Sequence, residues 1–272
     1  MITASVVLYH TEKYMIERIV NSYRPDNNRI LFIIDNSESK DYEVYFKENC
    51  FVEYIHNGKN VGYGAGHNIG IRRAIQLNSD YHIVLNPDVS FEDRIIDELK
   101  TYADNHEEVV YMLPKVVYPN GKIQYLCKLL PTPLDLTIRR FFPNIGLMRR
   151  RNEKYVLKAS GYNKIMNPPC LSGCFMFMRT STLRDNNLLF DENFFMYCED
   201  FDLIRRLHRV GMTIFYPNVT IVHDHTRASY KNWKLMLIHI QSAFKYFNKY
   251  GWFHDKERII ENNKILKDID DE

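Results

Sequence analysis

Apolar runs of strand length alternate with stretches of helical period through the first part of the chain. Residues 6–9, 30–34, 51–55 and 81–85 are near-continuous apolar segments dominated by branched and aromatic residues. Between the third and fourth, Ile71, Ala74 and Ile75 recur at helical spacing; after the fourth, Ile95, Leu99 and Tyr102 do the same. Continuous apolar strands separated by helices predict an α/β fold whose mostly parallel sheet is covered on both faces. Residues 114–169 break this rhythm with a turn at Pro119-Asn120-Gly121 and a proline-punctuated stretch from Pro131 to Pro143. Regularity returns with a strand over 174–178, a helix over 200–209, and strands over 212–216 and 219–223. A last helix then carries Trp233, Met236, Leu237, Ile240, Ala243, Phe244 and Phe247 on one stripe. The pattern predicts one domain over 1–228, with 114–169 as an inserted loop region, followed by a helical extension over 229–272.

Sheets of this kind bind ligands at the carboxyl ends of their strands. Four such ends are polar here: Tyr9-His10-Thr11, Asp35-Asn36-Ser37, His56-Asn57 and Asn86-Pro87-Asp88. One polar strand end is chance; four point to a polar ligand. The charge balance narrows the choice. With 36 basic and 34 acidic side chains the net charge is +2, which argues against a nucleic-acid partner. No apolar run approaches the ~20 residues of a membrane span, and the first residues lack the features of a signal peptide. Five cysteines without a C-x-x-C pair fit a reducing, cytoplasmic setting. Between 139 and 158, Arg139, Arg140, Arg149, Arg150, Arg151, Lys154 and Lys158 stand against Glu153 alone, with Phe141, Phe142, Ile145, Leu147 and Met148 among them. That segment is either a solvated basic surface or an interfacial membrane patch.

Several segments carry chemistry. Glycines at 62, 64, 66 and 70 precede and enter a helix whose free N–H groups suit an anion, yet the spacing fits neither G-x-G-x-x-G nor a P-loop. A tight turn into a packed helix is the plain alternative. Asn86 and Asp88 lie two residues apart at a strand end, so both side chains can face one crevice, and carboxylate oxygens suit Mg²⁺ or Mn²⁺. Glu199, Asp200 and Asp202 open a helix, where the dipole stabilises negative charge; capping explains Glu199 and Asp202, while Asp200 can serve as a general base. His223, at the end of a late strand before Asp224-His225, can complete a metal site begun by Asp88.

Taken together, Asp35-Asn36-Ser37, the run from Asn60 to Gly70, Leu85-Asn86-Pro87-Asp88, the segment from Ser172 to Met176 and the segment from Phe195 to Leu203 resemble family 2 glycosyltransferases. Within that family they are similar to the bacterial rhamnosyltransferases of O-antigen and capsular polysaccharide synthesis, over roughly residues 3–250. The resemblance implies a GT-A fold over 1–228 and inverting transfer from a nucleotide-sugar, either a dTDP- or a UDP-sugar. It assigns Asp35 to the nucleobase or ribose, with Tyr9 and His10 lining the same pocket. Asn60, Gly62, Gly66 and Asn68 border the nucleotide and its phosphates. Asn86 and Asp88 occupy the D-x-D position, with Asp88 and His223 as ligands of Mg²⁺ or Mn²⁺. Asp200 is the base, Glu199 supports it, and Gly173 and Cys174 lie on the acceptor side. The implied donor is dTDP-L-rhamnose and the implied acceptor a lipid-linked glycan, met at the cytoplasmic face of the inner membrane through the basic segment. A UDP-hexose transferase of the same fold and a non-catalytic assembly subunit are the competing readings.

Overall fold

The computed structural model describes residues 1–136, 146–224 and 233–271. Arg139, Arg140, Phe141, Phe142 and Ile145 of the basic segment lie outside the described residues, as do His225 and the side chains of Leu147 and Met148. The elements are β1 (Ile2–Leu8), α1 (Lys13–Tyr23), β2 (Arg29–Asp35), α2 (Glu43–Phe46), β3 (Val52–His56), α3 (Tyr63–Gln76), β4 (Tyr81–Leu85), β5 (Val89–Ser90), α4 (Arg94–Asp104) and β6 (Val109–Val117). They continue with α5 (Gly146–Tyr155), β7 (Phe175–Arg179), α6 (Thr180–Asp185), α7 (Glu199–His208), β8 (Met212–His223), α8 (Trp233–Tyr250) and α9 (Lys256–Asp270).

One sheet runs β3-β2-β1-β4-β7-β6-β8-β5. Its first four strands are the parallel unit the apolar runs predict, with Ala4 opposite both Leu31 and Ile83. Beyond β4 the direction changes: β7 is antiparallel to β4 and to β6, and β5 is antiparallel to β8. Ala4, Val6, Leu31, Ile33, Ile83 and Leu85 are fully buried between the helical layers, as expected of strands covered on both faces.

β6 has no counterpart in the sequence reading, because Pro114 interrupts its apolar run. The proline is tolerated because the β6–β8 register jumps there, from Pro114 opposite Tyr216 to Lys115 opposite Thr220. The same irregularity joins the two expected late strands into the single β8.

α3 lies very close to β1. A Cβ at Gly70 would come within 2.5 Å of Ser5 Cβ, and one at Gly66 within 2.8 Å of Val7 Cγ2. Beneath the helix runs a buried polar chain: Thr3 Oγ1 to His82 Nδ1 (2.9 Å), His82 Nε2 to Ser5 Oγ (2.9 Å) and Ser5 Oγ to His67 Nδ1 (2.8 Å). Burial pushes both imidazoles below the ordinary range, His82 to about 3.

The C-terminal helices are clamped to α7. Arg205 forks onto Asp255 at 2.6 and 2.8 Å and reaches Glu257 at 2.8 Å. Asp202, fully buried, accepts from Arg206 at 2.6 Å and from the Tyr250 hydroxyl at 2.6 Å. These contacts fix the start of α7 with the orientational precision of paired buried charges. Among the described residues no helix is long and apolar enough to cross a membrane.

Candidate functional site

Two polar clusters form at the carboxyl ends of the strands. The first gathers at β1 and β2, where Leu8 pairs with Asp35. Asp35 is buried; its Oδ1 accepts the Ser37 N–H (2.9 Å) and its Oδ2 the Tyr54 hydroxyl (2.6 Å). Burial and that carboxylate raise the Tyr54 pKa, so the phenol stays a donor. Tyr9 is 47% exposed at the end of β1, and His10 turns with φ +47°, its backbone N–H on Ser37 Oγ at 3.1 Å. Its ring lies 3.0 Å from Glu38, both side chains in solvent. Asn36 ties this cluster to the glycine run by donating to the Gly62 carbonyl (3.2 Å) and accepting from Asn57 (2.7 Å).

At Gly62 the chain takes φ +95°, and a Cβ there would sit 2.4 Å from the Phe195 carbonyl oxygen. Only glycine serves both demands. Asn60 Oδ1 accepts the Gly62 N–H at 3.0 Å and so shapes this turn. Tyr63 N–H bonds the Phe195 carbonyl at 3.0 Å, which draws the loop before α7 over the start of α3.

The second cluster joins the ends of β4, β7 and β8 to the start of α7. The Tyr63 hydroxyl is at its centre, 3.0 Å from Asn86 Oδ1 and 2.8 Å from the Gly173 carbonyl. Burial raises its pKa well above the tyrosine range, and Glu199, Asp200 and Asp88 add to the effect. Asp200 Oδ2 accepts the Gly173 N–H at 3.2 Å and Oδ1 the Phe201 N–H at 2.9 Å. A Cβ at residue 173 would come 2.9 Å from Asp200 Cβ, so Gly173 is needed for this approach. Burial raises the Asp200 pKa, against the opposing pull of Lys128 and of the two N–H donors. Glu199 is 5% exposed, and its Oε2 has no hydrogen-bond partner. Burial, then the charge of Asp200, raises its pKa well above the carboxylate range. Just before them, Tyr197 and Cys198 take φ +70° and +65°, a strained entry into α7.

On the opposite wall His223 Nε2 faces Asp88 Oδ1 at 3.2 Å. Gln124 fixes this ring: its Nε2 donates to the His223 carbonyl at 2.7 Å, so its Oε1 takes the Nδ1–H at 3.0 Å. Such an outer partner sets the tautomer that turns Nε2 toward a cation. Burial opposes charge on His223, but Cys174 and Asp88 outweigh it and push its pKa up to about 10. Were Asp88 and His223 to hold a cation, it would have to displace that proton. Among the described residues no group of three or more His, Cys, Asp or Glu side chains is arranged around a metal. Asp88 and His223 offer two donors, which fits an ion that keeps waters and shares substrate phosphates.

The structure thus gathers Asn86, Asp88, Gly173, Cys174, Glu199, Asp200 and His223 in one place, with Asp35, Tyr9 and His10 at the neighbouring strand ends. Two expectations need correction. Asn68 does not face a nucleotide: it is fully buried, accepts the Phe190 N–H at 2.9 Å, and donates to the Phe190 carbonyl (3.0 Å) and Glu192 (2.9 Å). Gly66 is pressed onto Val7, and a Cβ there would also come within 3.5 Å of Asn36 Nδ2 in the first cluster. Asp202, read as a helix cap, instead holds α8 through the Tyr250 hydroxyl. The sequence reading also passed over Tyr63, Gln124, Tyr54 and Lys128. Tyr63 stood inside the glycine run; the other three carry no local signal.

The profile of Glycosyl transferase family 2 matches residues 6–185, and the chain belongs to that family. It is 27% identical to Rhamnosyltransferase WbbL of Escherichia coli (strain K12) over 279 residues, covering 97% of each chain. It is 24% identical to the N-acetylglucosaminyl-diphospho-decaprenol L-rhamnosyltransferase of Mycobacterium tuberculosis over 228 residues, 79% of this chain and 71% of that one. Among solved structures it resembles S. aureus TarS 1-349 (TM-score 0.55, 14% identity, 89% of this chain and 64% of that one). It also resembles GalNAc-T7 with UDP, GalNAc and Mn2+ (TM-score 0.59, 13% identity, 82% and 42%). The fold is GT-A, and the chain is a glycosyltransferase similar to rhamnosyltransferases.

Proposed function

We propose that this family 2 glycosyltransferase moves L-rhamnose from dTDP-L-rhamnose to a lipid-linked or growing bacterial surface glycan, with inversion. The observation that carries the reading is the position of Asp200: a partly accessible carboxylate held by two backbone N–H groups, across the Tyr63 hydroxyl from the Asp88–His223 pair. In the proposed step the acceptor hydroxyl oxygen bonds to the anomeric carbon while the bond from that carbon to the diphosphate breaks. The nucleoside diphosphate leaves with the electron pair, and Asp200 takes the hydroxyl proton. One base on the acceptor side suffices, with no second carboxylate acting as nucleophile. Asp88 and His223 would hold Mg²⁺ or Mn²⁺, which neutralises charge on the leaving diphosphate. Asp35, with Tyr9 and His10, is assigned to the nucleoside. Gly173 and Cys174 border the acceptor.

The rhamnose assignment is supported by the names of the two rhamnosyltransferase relatives, and the lipid diphosphate acceptor by the mycobacterial one. Calorimetric titration with dTDP and with UDP, each with and without Mg²⁺ or Mn²⁺, tests the donor. Tighter dTDP binding, strengthened by the cation, is expected; tighter UDP binding would replace rhamnose with a UDP-hexose. No binding of either would favour a non-catalytic subunit. Arg149 and Arg150 on α5 are exposed, whereas Arg151 is engaged by Asp135 at 2.9 Å. We assign this face to peripheral contact with anionic lipid at the cytoplasmic side of the inner membrane. Charge reversal at Arg149 and Arg150 should release the protein from anionic vesicles; unchanged binding would remove the assignment.

A further inference from the structure

The Tyr63 hydroxyl faces two oxygens and has one hydrogen to give. It lies 2.8 Å from the Gly173 carbonyl and 3.0 Å from Asn86 Oδ1. A backbone carbonyl can only accept, and among the described residues no other donor reaches that of Gly173. With the phenol's hydrogen on Gly173, two oxygens meet across 3.0 Å at Asn86 with no hydrogen between them. The amide can remove this conflict, because a half-turn of its side chain exchanges Oδ1 for Nδ2. Nothing is lost by the turn, since the Nδ2 hydrogens have no partner among the described residues. Both contacts then become hydrogen bonds. The phenol cannot resolve the conflict by moving. Its backbone N–H is tied to the Phe195 carbonyl at 3.0 Å, and its ring packs edge-on against His67 (centroids 4.5 Å apart) and Phe190 (6.0 Å). The Asn86 backbone is fixed as well, its N–H on the Cys174 carbonyl at 2.9 Å.

We infer that Tyr63 is a positioning residue that turns the Asn86 amide: Nδ2 donates to the phenol, the phenol donates to the Gly173 carbonyl, and Oδ1 is the end offered to a ligand. The relay joins the two sides of the proposed reaction. Asn86 follows β4 beside Asp88, while Gly173 uses its other backbone group, the N–H, to hold Asp200 Oδ2 at 3.2 Å. The relay also gives position 86 a reason to carry an amide where the D-x-D pattern has a carboxylate. A carboxylate there has no hydrogen to donate and, being charged, would draw the phenol's hydrogen away from Gly173. The orientation of the amide follows from hydrogen-bonding capacity alone. Its part in transfer rests on the glycosyltransferase reading with Asp200 as base.

The first test is an NMR experiment on protein labelled with ¹⁵N at asparagine side chains, with the Asn86 NH₂ group assigned as the signal missing from Asn86→Asp. A nuclear Overhauser contact from that NH₂ to the Tyr63 ring hydrogens beside the hydroxyl is expected in the native protein. An NH₂ group without that contact would have its oxygen toward the phenol, and it overturns the proposal even where no Tyr63 variant folds. Transfer kinetics supply the second test. Asn86→Asp should lower kcat about tenfold more in the native background than in Tyr63→Phe, which has no phenol hydrogen to redirect; this lies within the range of coupling inside one hydrogen-bond network. Whatever a carboxylate at position 86 does to the donor is common to both backgrounds and cancels. Equal losses in the two backgrounds would overturn the link to Gly173 and Asp200. The nuclear Overhauser contact needs no substrate, so it decides the orientation of the amide whether or not the transferase reading survives its own donor test.

Discussion

Polar residues meet α3 in two places, and the places differ in how their hydrogen-bonding capacity is used. Behind the helix, Asn68 accepts and donates to both backbone groups of Phe190, and the chain from Thr3 through His82 and Ser5 ends at His67. Only His67 Nε2 lacks a partner there, and that ring is packed beside Tyr63 and Phe190. In front of the helix, buried Glu199 Oε2 is unpartnered, Asp200 is partly accessible, and the backbone before both is strained. Closed networks hold elements together; open ones, sustained at a cost of desolvation, await a ligand or a proton. Residue type alone does not separate the two, since Asn68 and Asp88 are equally plausible contacts for a nucleotide on paper.

The comparison breaks most visibly at Asp200. Asp200→Asn should lower the transfer rate about 10³-fold, the scale of a lost general base, with the melting temperature held near the native value. Asn68→Ala should do the reverse. It orphans the Phe190 N–H and carbonyl and should cost about 3 kcal/mol in denaturant unfolding, leaving the rate per folded molecule within about twofold. Gly70→Ala is expected to cost about 2 kcal/mol by overpacking against Ser5; a neutral result would mean that α3 lifts from β1 without penalty.

The smallest effect is a pH slope. His82 and His67 are held neutral in the native state with pKa values below 6.5, so the unfolded chain takes up protons first as the pH falls. Their contribution to stability is present above about 6.5 and falls away below it, for His82 down to about 3, at up to about 1.4 kcal/mol per pH unit for each ring. Glu199, with its raised pKa, acts in the opposite direction, so the informative quantity is the difference between native protein and His82→Gln. The variant should show the shallower loss of stability between pH 6.5 and 4; equal slopes would contradict the neutral buried ring.

Much of this architecture is legible in the sequence. The parallel unit follows from four apolar runs, because strands buried on both faces need no alternation. The second cluster is legible as motifs, since Asn86, Asp88, Glu199, Asp200 and His223 lie at strand and helix ends where function-bearing residues gather. β6 escapes because Pro114 masks a strand that tolerates it only through a register jump with β8, a tertiary fact. Lys128 and Gln124 escape for a similar reason. A single lysine or glutamine in an irregular stretch gains meaning only when the fold brings it to Phe201 or His223. Asn68 misled in the other direction, its place in a glycine-rich run inviting a ligand that packing does not allow.

The central claim is that Asp200 acts on the acceptor's proton and not on the donor. Calorimetric titration of Asp200→Asn with dTDP in the presence of Mg²⁺ tests it most directly. The account predicts nucleotide affinity within about twofold of the native protein in a variant that has lost transfer. A tenfold or greater loss of affinity would contradict it and place Asp200 in the nucleotide pocket.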